Sequence, residues 1–478
     1  MKNIIRVLTI YSVVLTSLIG CEEPLEEELF SQLATENFLS TETGLESVLF
    51  QAYAREQRTG HDWTGMLQTD IVMTGRGDGH LGAWEGTTTS IFELWSWNET
   101  HWLLNVHWSR NYDVIYSCNT ILESLEEFEF GSDFEKRLKG EALALRAHAY
   151  YWLYDFFGPV VLRTTTAPEE LEKARASDEE TRNQIEADFL AAIELLPVDQ
   201  DAYGKITKGA AYGMLSKFYL NTKQWQKAAD AAKAVIDLGK YELFPDFTTL
   251  FHIANEGNSE ALWVQPGDPA PNLNNSLAGL TYPADYPFTG TQSTFPARLY
   301  VYDSFVLSYP EGDDRAKVIT TEYINRFGEL VVGLGNDRSY PFKYGLDPNA
   351  SGGFGGNDWI LLRYADILLT RAEALNELNG PNPESLDLIN QVRNRAKIPE
   401  LTLAEVGTKE QFRDIIFQER QWEFHYEGMT RQDMIRQGTL VSDAISRGVV
   451  NANENRALFP IPQSEMDTNR NMVQNPGY

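Results

Sequence analysis

The sequence predicts a mostly helical protein, in which antiparallel helix pairs stack into a single compact unit that carries a loop-rich, irregular cap. Residues 37–250 and 358–440 hold long stretches of apolar residues at helical spacing. Residues 254–357 between them are rich in Gly, Pro, Asn and Asp, which favour turns. No long linker follows residue 35, so we expect one domain instead of the about three that the length suggests.

The N-terminus has the pattern of a secretion signal. Lys2 and Arg6 precede an apolar run at residues 7–19, which is shorter than the roughly 20 residues of a membrane span. The run ends in Leu18-Ile19-Gly20-Cys21, which resembles a bacterial lipobox and implies removal of residues 1–20 and lipidation of Cys21. An ordinary secretion signal with a chance cysteine, or a membrane anchor, is the alternative. The length, the flanks and the cysteine position together favour the lipoprotein.

Residues 21–36 form the predicted lipidated tether. Acidic side chains crowd the positions directly after Cys21, as expected of a solvated, disordered segment. Acidic residues at this place also resemble the surface-export signal of Bacteroidota lipoproteins. The resemblance implies a mature chain anchored to the outer membrane and facing the cell exterior.

The composition excludes one class of partner and one source of stability. The chain has 69 Asp and Glu against 40 Lys and Arg, a formal net charge of −29, which repels phosphate backbones. We therefore expect no nucleic-acid binding. Cys118 is the only cysteine besides Cys21, so no disulfide can form within the mature chain and stability must come from packing.

The clearest helix pair runs from Lys208 to Leu238. Small residues recur in its second helix and let this helix approach the first closely. The pattern resembles the tetratricopeptide repeat, whose stacked pairs bury one another's faces. Glu141–Phe157 and Trp359–Leu378 are predicted as the first helices of related pairs, and Ser385–Arg395 follows the latter.

Several longer motifs follow one another in order along the chain. They are Gly140-Glu141-Ala142-Leu143-Ala144-Leu145-Arg146-Ala147 leading to Phe157-Gly158-Pro159-Val160; Asn357–Asp366 leading to Ala372-Glu373-Ala374; Ile389–Ala396; Glu419-Arg420, Glu423, Glu427-Gly428, Arg431, Asp433 and Arg436; Leu458–Pro462; and Gln474-Asn475-Pro476-Gly477-Tyr478. Their order and spacing resemble those of the SusD/RagB family of outer-membrane nutrient-binding lipoproteins. Each motif is weak alone, but the series is specific.

The resemblance implies a function and a partner. It implies a cell-surface protein that binds a nutrient, here a glycan or oligosaccharide, and delivers it unchanged to a SusC-like TonB-dependent transporter. It also implies a SusD-like domain at residues 37–478 that ends in a C-terminal strap, residues 455–478. Peptide uptake, which some family members serve, and a tetratricopeptide scaffold that binds protein segments stay open as alternatives.

Most charged residues in these motifs are interpreted as structural. Arg363 and Asp366 stand in an apolar stretch, where polar groups are more often buried and paired than available to a ligand. Glu427 and Arg431 are four residues apart, the spacing of an ion pair on one helix. Residues 459–462 include two prolines without backbone donors, which suits an extended strap over the core.

Two loops supply the candidate ligand-binding residues. Sugars present flat C–H faces that stack on aromatic rings, and their hydroxyls need polar partners nearby. The first loop region, which is glycine-rich from residue 75 to residue 86, provides Trp63, Arg76, Asp78 and Trp84. The second, at residues 272–295, provides Tyr282, Tyr286 and Phe288.

Other aromatic and glycine-rich positions are assigned to structure. Trp102 and Trp108, with Tyr112 and Ile115, are predicted to share a helix face in the core. Trp95 and Trp97 are predicted to pack as well. The run Ser351–Asn357 is a third, weaker candidate loop, and its simpler interpretation is a flexible connection to the next element.

The sequence contains no catalytic or cofactor signature. G-x-S-x-G, H-E-x-x-H and Walker A motifs are absent, as is a cysteine pair for a metal. His101 and His107 are six residues apart and cannot share a helix face, so no zinc site is predicted. A glycoside hydrolase needs two carboxylates, but among 69 acidic residues a pair proves nothing. We predict a binding protein without catalytic residues, cofactor or metal.

Overall fold

The fold was described from a computed structural model, which covers residues 38–60, 73–74, 88–270, 274–289, 291–294, 299–350 and 352–478. The predicted signal peptide, Cys21 and the acidic tether lie outside these residues, so their boundaries stay predictions. Within the covered ranges, no helix has both the length and the apolar character needed to cross a membrane.

Helices make up most of the regular structure, and the strands are short. The helices are α1 Glu42–Gly60, α2 Thr88–Glu93, α3 Trp102–Glu127, α4 Ser132–Phe157, α5 Asp178–Leu195, α6 Lys208–Asn221, α7 Trp225–Asp237, α8 Leu277–Thr281, α9 Asp303–Val306, α10 Tyr364–Asn379, α11 Pro383–Arg395, α12 Leu403–Val406, α13 Lys409–Glu423, α14 Thr430–Gln437, α15 Leu440–Ser446 and α16 Gln463–Thr468. The strands are β1 Ala261–Gln265, β2 Ile319–Thr320, β3 Glu322–Ile324, β4 Leu330–Val332, β5 Tyr340–Pro341 and β6 Trp359–Arg363. Short 3₁₀ turns lie at Pro168–Glu172, Ile253–Asn255, Asp314–Val318 and Glu454–Ala457.

Consecutive helices pack side by side and confirm the predicted mostly helical class with helix pairs. The contacts run in series from α3 to α4, α4 to α5, α5 to α6 and α6 to α7, and continue from α7 to α10 and from α10 to α11 and α13. Ala228 and Ala232 on α7 are fully buried, so the small residues allow the close approach predicted for the second helix of this pair. The Thr207 side chain caps α6 by accepting a hydrogen bond from the amide of Ala210 (3.1 Å).

The predicted helix at Trp359–Leu378 begins later than expected. Its first five residues form strand β6, which pairs antiparallel with β1, and α10 starts at Tyr364. All five strand residues are buried, and a short, continuous apolar run of this kind fits a buried strand as well as a helix. These residues form a strand because they pair with β1. The partner strand lies about a hundred residues earlier in the chain, so the local pattern does not reveal the pairing.

Arg363, at the end of β6, is the centre of a buried network of charges. Its guanidinium donates to Glu427 (2.7 Å from Nε to Oε2) and to Glu260 (2.7 Å), and also pairs with Glu423. All four side chains are fully buried. Burial alone would raise the pKa of Glu423, but Arg395, Arg363 and Arg315 hold it well below its usual range. This network confirms that Arg363 is structural.

One predicted ion pair is wrong. Glu427 pairs with Arg363 and with Lys343, whereas Arg431 reaches Asp155 on α4 (3.2 Å). Gly428, directly after Glu427, has a φ of +73°, and α14 begins only at Thr430. Glu427 and Arg431 are therefore not on one helix, and the four-residue spacing does not bring their side chains together. Asp366 is buried and paired with Arg420 (2.8 Å), as predicted.

Residues near the C-terminus cross the helical core. Phe459 is fully buried, its amide donates to the carbonyl of Phe156 on α4 (2.8 Å), and its ring stacks on that of Phe156 at 5.4 Å. The Asn475 side chain donates to the carbonyls of Phe157 and Phe459 (2.9 and 2.7 Å). These hydrogen bonds attach the chain end to the first half of the helical stack.

Candidate functional site

The predicted ligand-binding residues fall into two groups. Trp63, Arg76, Asp78 and Trp84 lie outside the described residues, so their assignment to the site stays a prediction. Tyr282, Tyr286 and Phe288 are described, and they lie together in the irregular region.

These three aromatic rings contact one another directly. The ring centroids of Tyr282 and Tyr286 are 5.0 Å apart, and those of Tyr286 and Phe288 are 5.2 Å apart. Tyr282 is buried and stacks on Phe342 at 3.7 Å with an interplanar angle of 4°. Tyr282 therefore supports the other rings, whereas Tyr286 and Phe288 are only half-buried and keep ring surface accessible.

Further aromatic residues from the short strands join this group. The aromatic cluster, as we name it, consists of Tyr282, Tyr286, Phe288, Tyr323, Tyr340 and Phe342. Tyr323 on β3 donates its hydroxyl to Asp285 (2.6 Å), which holds the β3–β4 hairpin against the loop that carries Tyr286. Tyr323, Tyr340 and Phe342 were not predicted from the sequence, in which the one available signal was the density of aromatic residues at 282–342.

The tryptophans assigned to the core follow the prediction with one exception. Trp95, Trp97 and Trp108 are buried, whereas 46% of Trp102 is exposed. Trp102 and Trp108 are six residues apart, which places them on different sides of α3. Tyr112 and Ile115 do share the buried face of Trp108, because they follow it by four and seven residues.

Two family models match separate parts of the chain. The model described as "SusD family" matches residues 333–478, and the model described as "Starch-binding associating with outer membrane" matches residues 25–220. The chain belongs to the SusD/RagB family. The second description names a binding protein, which agrees with the prediction that this SusD family member is not an enzyme.

Relatives and solved structures cover nearly all of this SusD family chain. SusD-like protein P2 of Formosa agariphila is 26% identical over 98% of this chain and 99% of its own length. A SusD homologue from Bacteroides thetaiotaomicron aligns with a TM-score of 0.81 and 23% identity, over 95% of this chain and 100% of that one. Surface glycan-binding protein A from the same species, in complex with laminarihexaose, aligns with a TM-score of 0.75 and 18% identity, over 90% and 98%. These structures share the fold.

The third candidate loop of this SusD family chain is packed against its neighbours. Ser351 lies outside the described residues, but Gly355 forms a β-bridge with Asn275, and a Cβ atom at Gly356 would lie 2.5 Å from Pro269.

Within the described ranges, no group of His, Cys, Asp and Glu side chains is placed to hold a metal ion.

A carboxylate pair next to this loop is not arranged as a hydrolase site. The pKa of Glu256 is raised to about 7, chiefly by burial and also by the nearby Asp358 and Asp347, while an accepted hydrogen bond from the amide of Asp358 opposes them. Burial also raises the pKa of Asp358. Asp358 is buried, and its two carboxylate oxygens accept hydrogen bonds from the amide of Gly267 (2.9 Å) and from the Tyr203 hydroxyl, so this carboxylate is held by the fold.

Replacing Glu256 with glutamine should stabilise the protein at pH 8 and have a smaller effect at pH 5. Between pH 4.5 and pH 7 the folded state binds a proton at Glu256 that the unfolded state releases, so wild-type stability rises as the pH falls through this window. Glutamine cannot ionise, so the variant loses this pH dependence of stability. Above pH 7 it also avoids the free-energy cost of burying the carboxylate charge. Since Glu256 is partly exposed, we expect a gain of at most about 1 kcal/mol at pH 8. Urea unfolding of the wild type and the variant at both pH values measures this gain. An equal stability difference at pH 5 and pH 8 would contradict the raised pKa of Glu256.

Proposed function

We propose that this protein is a surface lipoprotein that binds a glycan and delivers it, chemically unchanged, to a SusC-like TonB-dependent transporter in the outer membrane. The observation that carries the proposal is the aromatic cluster, set in a SusD family scaffold whose family model is described as starch-binding. Tyr286 and Phe288 are only half-buried, and aromatic side chains that keep exposed surface can stack on the C–H faces of sugars.

The physical features of the cluster suit a carbohydrate. Its rings are held by mutual contacts and by the hydrogen bond from Tyr323 to Asp285, so little ordering free energy is lost when a ligand binds. Arg338, exposed above the ring of Tyr300 at 5.8 Å, lies at the edge of the cluster, because Tyr300 contacts Tyr340 at 5.5 Å. This guanidinium supplies donors for sugar hydroxyls beside the stacking surface.

The remaining parts of the proposal come from the family and from the sequence. The solved neighbour named as a surface glycan-binding protein is in complex with laminarihexaose, which makes β-1,3-glucans a reasonable first test. The lipobox at Cys21 and the acidic residues after it favour an anchored protein on the cell exterior. The transporter partnership follows from the family resemblance.

We expect the soluble chain beginning at Glu22 to bind one or more oligosaccharides from a panel of plant, host and microbial glycans that includes laminarihexaose. Trp84→Ala and Tyr286→Ala should each weaken binding about tenfold, since each removes one stacking surface, a loss near 1.4 kcal/mol. Calorimetry measures affinity, and chromatography of the sugar after incubation tests for cleavage.

Tyr116→Ala is the matched control, because Tyr116 is 60% exposed on α3 and belongs to neither loop. Equal weakening by all three variants would reject the assigned site. Cleavage of the sugar would reject the non-catalytic function. Failure of the whole panel to bind would reject glycan binding and direct the same assay to peptides.

A further inference from the structure

Two neighbouring clefts lie beside the loop that joins α5 to α6. The first has a volume of about 430 Å³ and a rim whose polar side chains include Asp199, Lys240 and Ser259. The second has a volume of about 420 Å³ and is lined mainly by apolar surface. Both share residues 202–205 and Trp263. We name them the Tyr203 clefts, and each has the size of a small-ligand site.

Tyr203 lines both clefts and provides a fixed aromatic surface. The residue is 55% exposed, yet its hydroxyl donates to the carboxylate of Asp358. The next residue, Gly204, has a φ of +83°, and a Cβ atom there would lie 2.5 Å from Pro266. Trp263 donates from Nε1 to the carbonyl of Gly204 (3.1 Å). The loop is thus held closely against β1, and the ring is positioned before any ligand arrives.

Unsatisfied hydrogen-bond acceptors line the second cleft. Glu56 and Gln265 are 2% and 4% exposed, and within the part of the chain that the structure describes no group donates a hydrogen bond to Glu56 Oε2 or Gln265 Oε1. A buried acceptor without a donor is costly, so the cleft favours a ligand rich in hydroxyl donors. In the first cleft Lys205 and Lys240 are balanced by Asp199 and Asp201, so the lining carries no net charge that would select an ionic ligand. A neutral polyol fits both conditions.

We propose that the Tyr203 clefts form a second binding site, separate from the aromatic cluster, for a neutral oligosaccharide. Sugar rings occupy the two clefts, and Tyr203, which lines both, provides the stacking surface. Hydroxyls of the ring in the second cleft donate to Glu56 and Gln265, and the polar side chains at the rim of the first cleft contact the neighbouring ring. The inference rests on the proposed glycan-binding function. It adds a second place on the protein where one oligosaccharide is bound.

The test uses the soluble chain from Glu22 and hexaoses of glucose and xylose with different linkages: laminarihexaose, maltohexaose, cellohexaose and xylohexaose. Hydrogen–deuterium exchange should show protection of the peptide covering residues 196–207 by at least one hexaose. Tyr203→Ala should weaken binding of that hexaose about tenfold in calorimetry. Tyr203→Phe, which keeps the ring, should stay within about twofold of wild type, and Tyr116→Ala should not change the affinity.

The outcomes separate this inference from the proposed function. Protection of residues 196–207 that persists in Trp84→Ala and is lost in Tyr203→Ala supports a second site. A hexaose that binds without protecting this segment, and with equal affinity for Tyr203→Ala, overturns the second site and leaves the proposed function standing. Absence of binding by every hexaose to the wild-type chain overturns both. Circular dichroism of each variant shows whether it is folded.

Discussion

Replacing Arg363 with leucine is expected to lower the free energy of unfolding by about 3–5 kcal/mol, the cost of breaking a buried ion pair. The substitution removes the cation shared by Glu260, Glu423 and Glu427, all of which are fully buried. Arg395 and Lys343 keep some of these carboxylates paired, so we expect a destabilised fold and not complete unfolding. Urea unfolding of the soluble chain, followed by circular dichroism, measures the change.

Two further variants make this result specific. Arg182→Leu breaks the exposed pair between Arg182 and Asp178 and should cost less than about 1 kcal/mol. Glu427→Gln should lower the free energy of unfolding less in the Arg363→Leu background than in the wild type. In the double variant both the carboxylate charge and its cation are absent, so no charge is left unpaired by the second substitution. A coupling of about 0.5–3 kcal/mol is expected. Additive effects would show that Arg363 acts through packing alone.

Replacing Cys21 with serine is expected to move the protein from the membrane fraction to the soluble fraction. Each buried methylene group contributes about 0.8 kcal/mol, and stable anchoring needs more than one acyl chain. Serine offers no thiol for lipidation, so the anchor is lost while the folded domain is untouched. Immunoblots of fractionated cells that express the full chain measure the distribution.

The same preparation tests the transporter partner. The wild-type chain, extracted from outer membranes in detergent, should co-purify with a TonB-dependent barrel. Cys118→Ser serves as the control for cysteine loss, because Cys118 is buried in α3 and has no part in anchoring. Equal membrane association of wild type and Cys21→Ser would contradict lipidation at Cys21. Purification of the wild type without a barrel would contradict a stable complex.

Much of the helical scaffold could be predicted because its signal is local. Apolar residues at helical spacing located the pair α6 and α7, and the same spacing placed Trp108, Tyr112 and Ile115 on one buried face. The structural role of Arg363 and Asp366 was also predictable, since charged groups in an apolar stretch must be paired. Their partners were not predictable, because these come from distant segments.

The errors at residues 359–363 and at Glu427 share one physical cause, whereas the exposure of Trp102 follows from its place on α3, six residues before Trp108. Residues 359–363 form a strand because β1 lies beside them, and Glu427 turns to Arg363 because Gly428 redirects the chain. In both cases a contact between distant residues overrode a local preference. The candidate site shows the same limit: Tyr286 and Phe288 were found from the loop that carries them, whereas Tyr323 joins them from a separate hairpin.

By itself, the sequence determined the helical class and the family resemblance, because order and spacing are properties of the chain, and it supports the predictions of lipidation at Cys21 and of no nucleic-acid partner. The tertiary structure alone decided that Tyr282 is buried while Tyr286 is accessible, and that Tyr203 lines two neighbouring clefts. Exposure and cleft shape depend on which distant segments pack together, and that choice follows from the burial of the whole core.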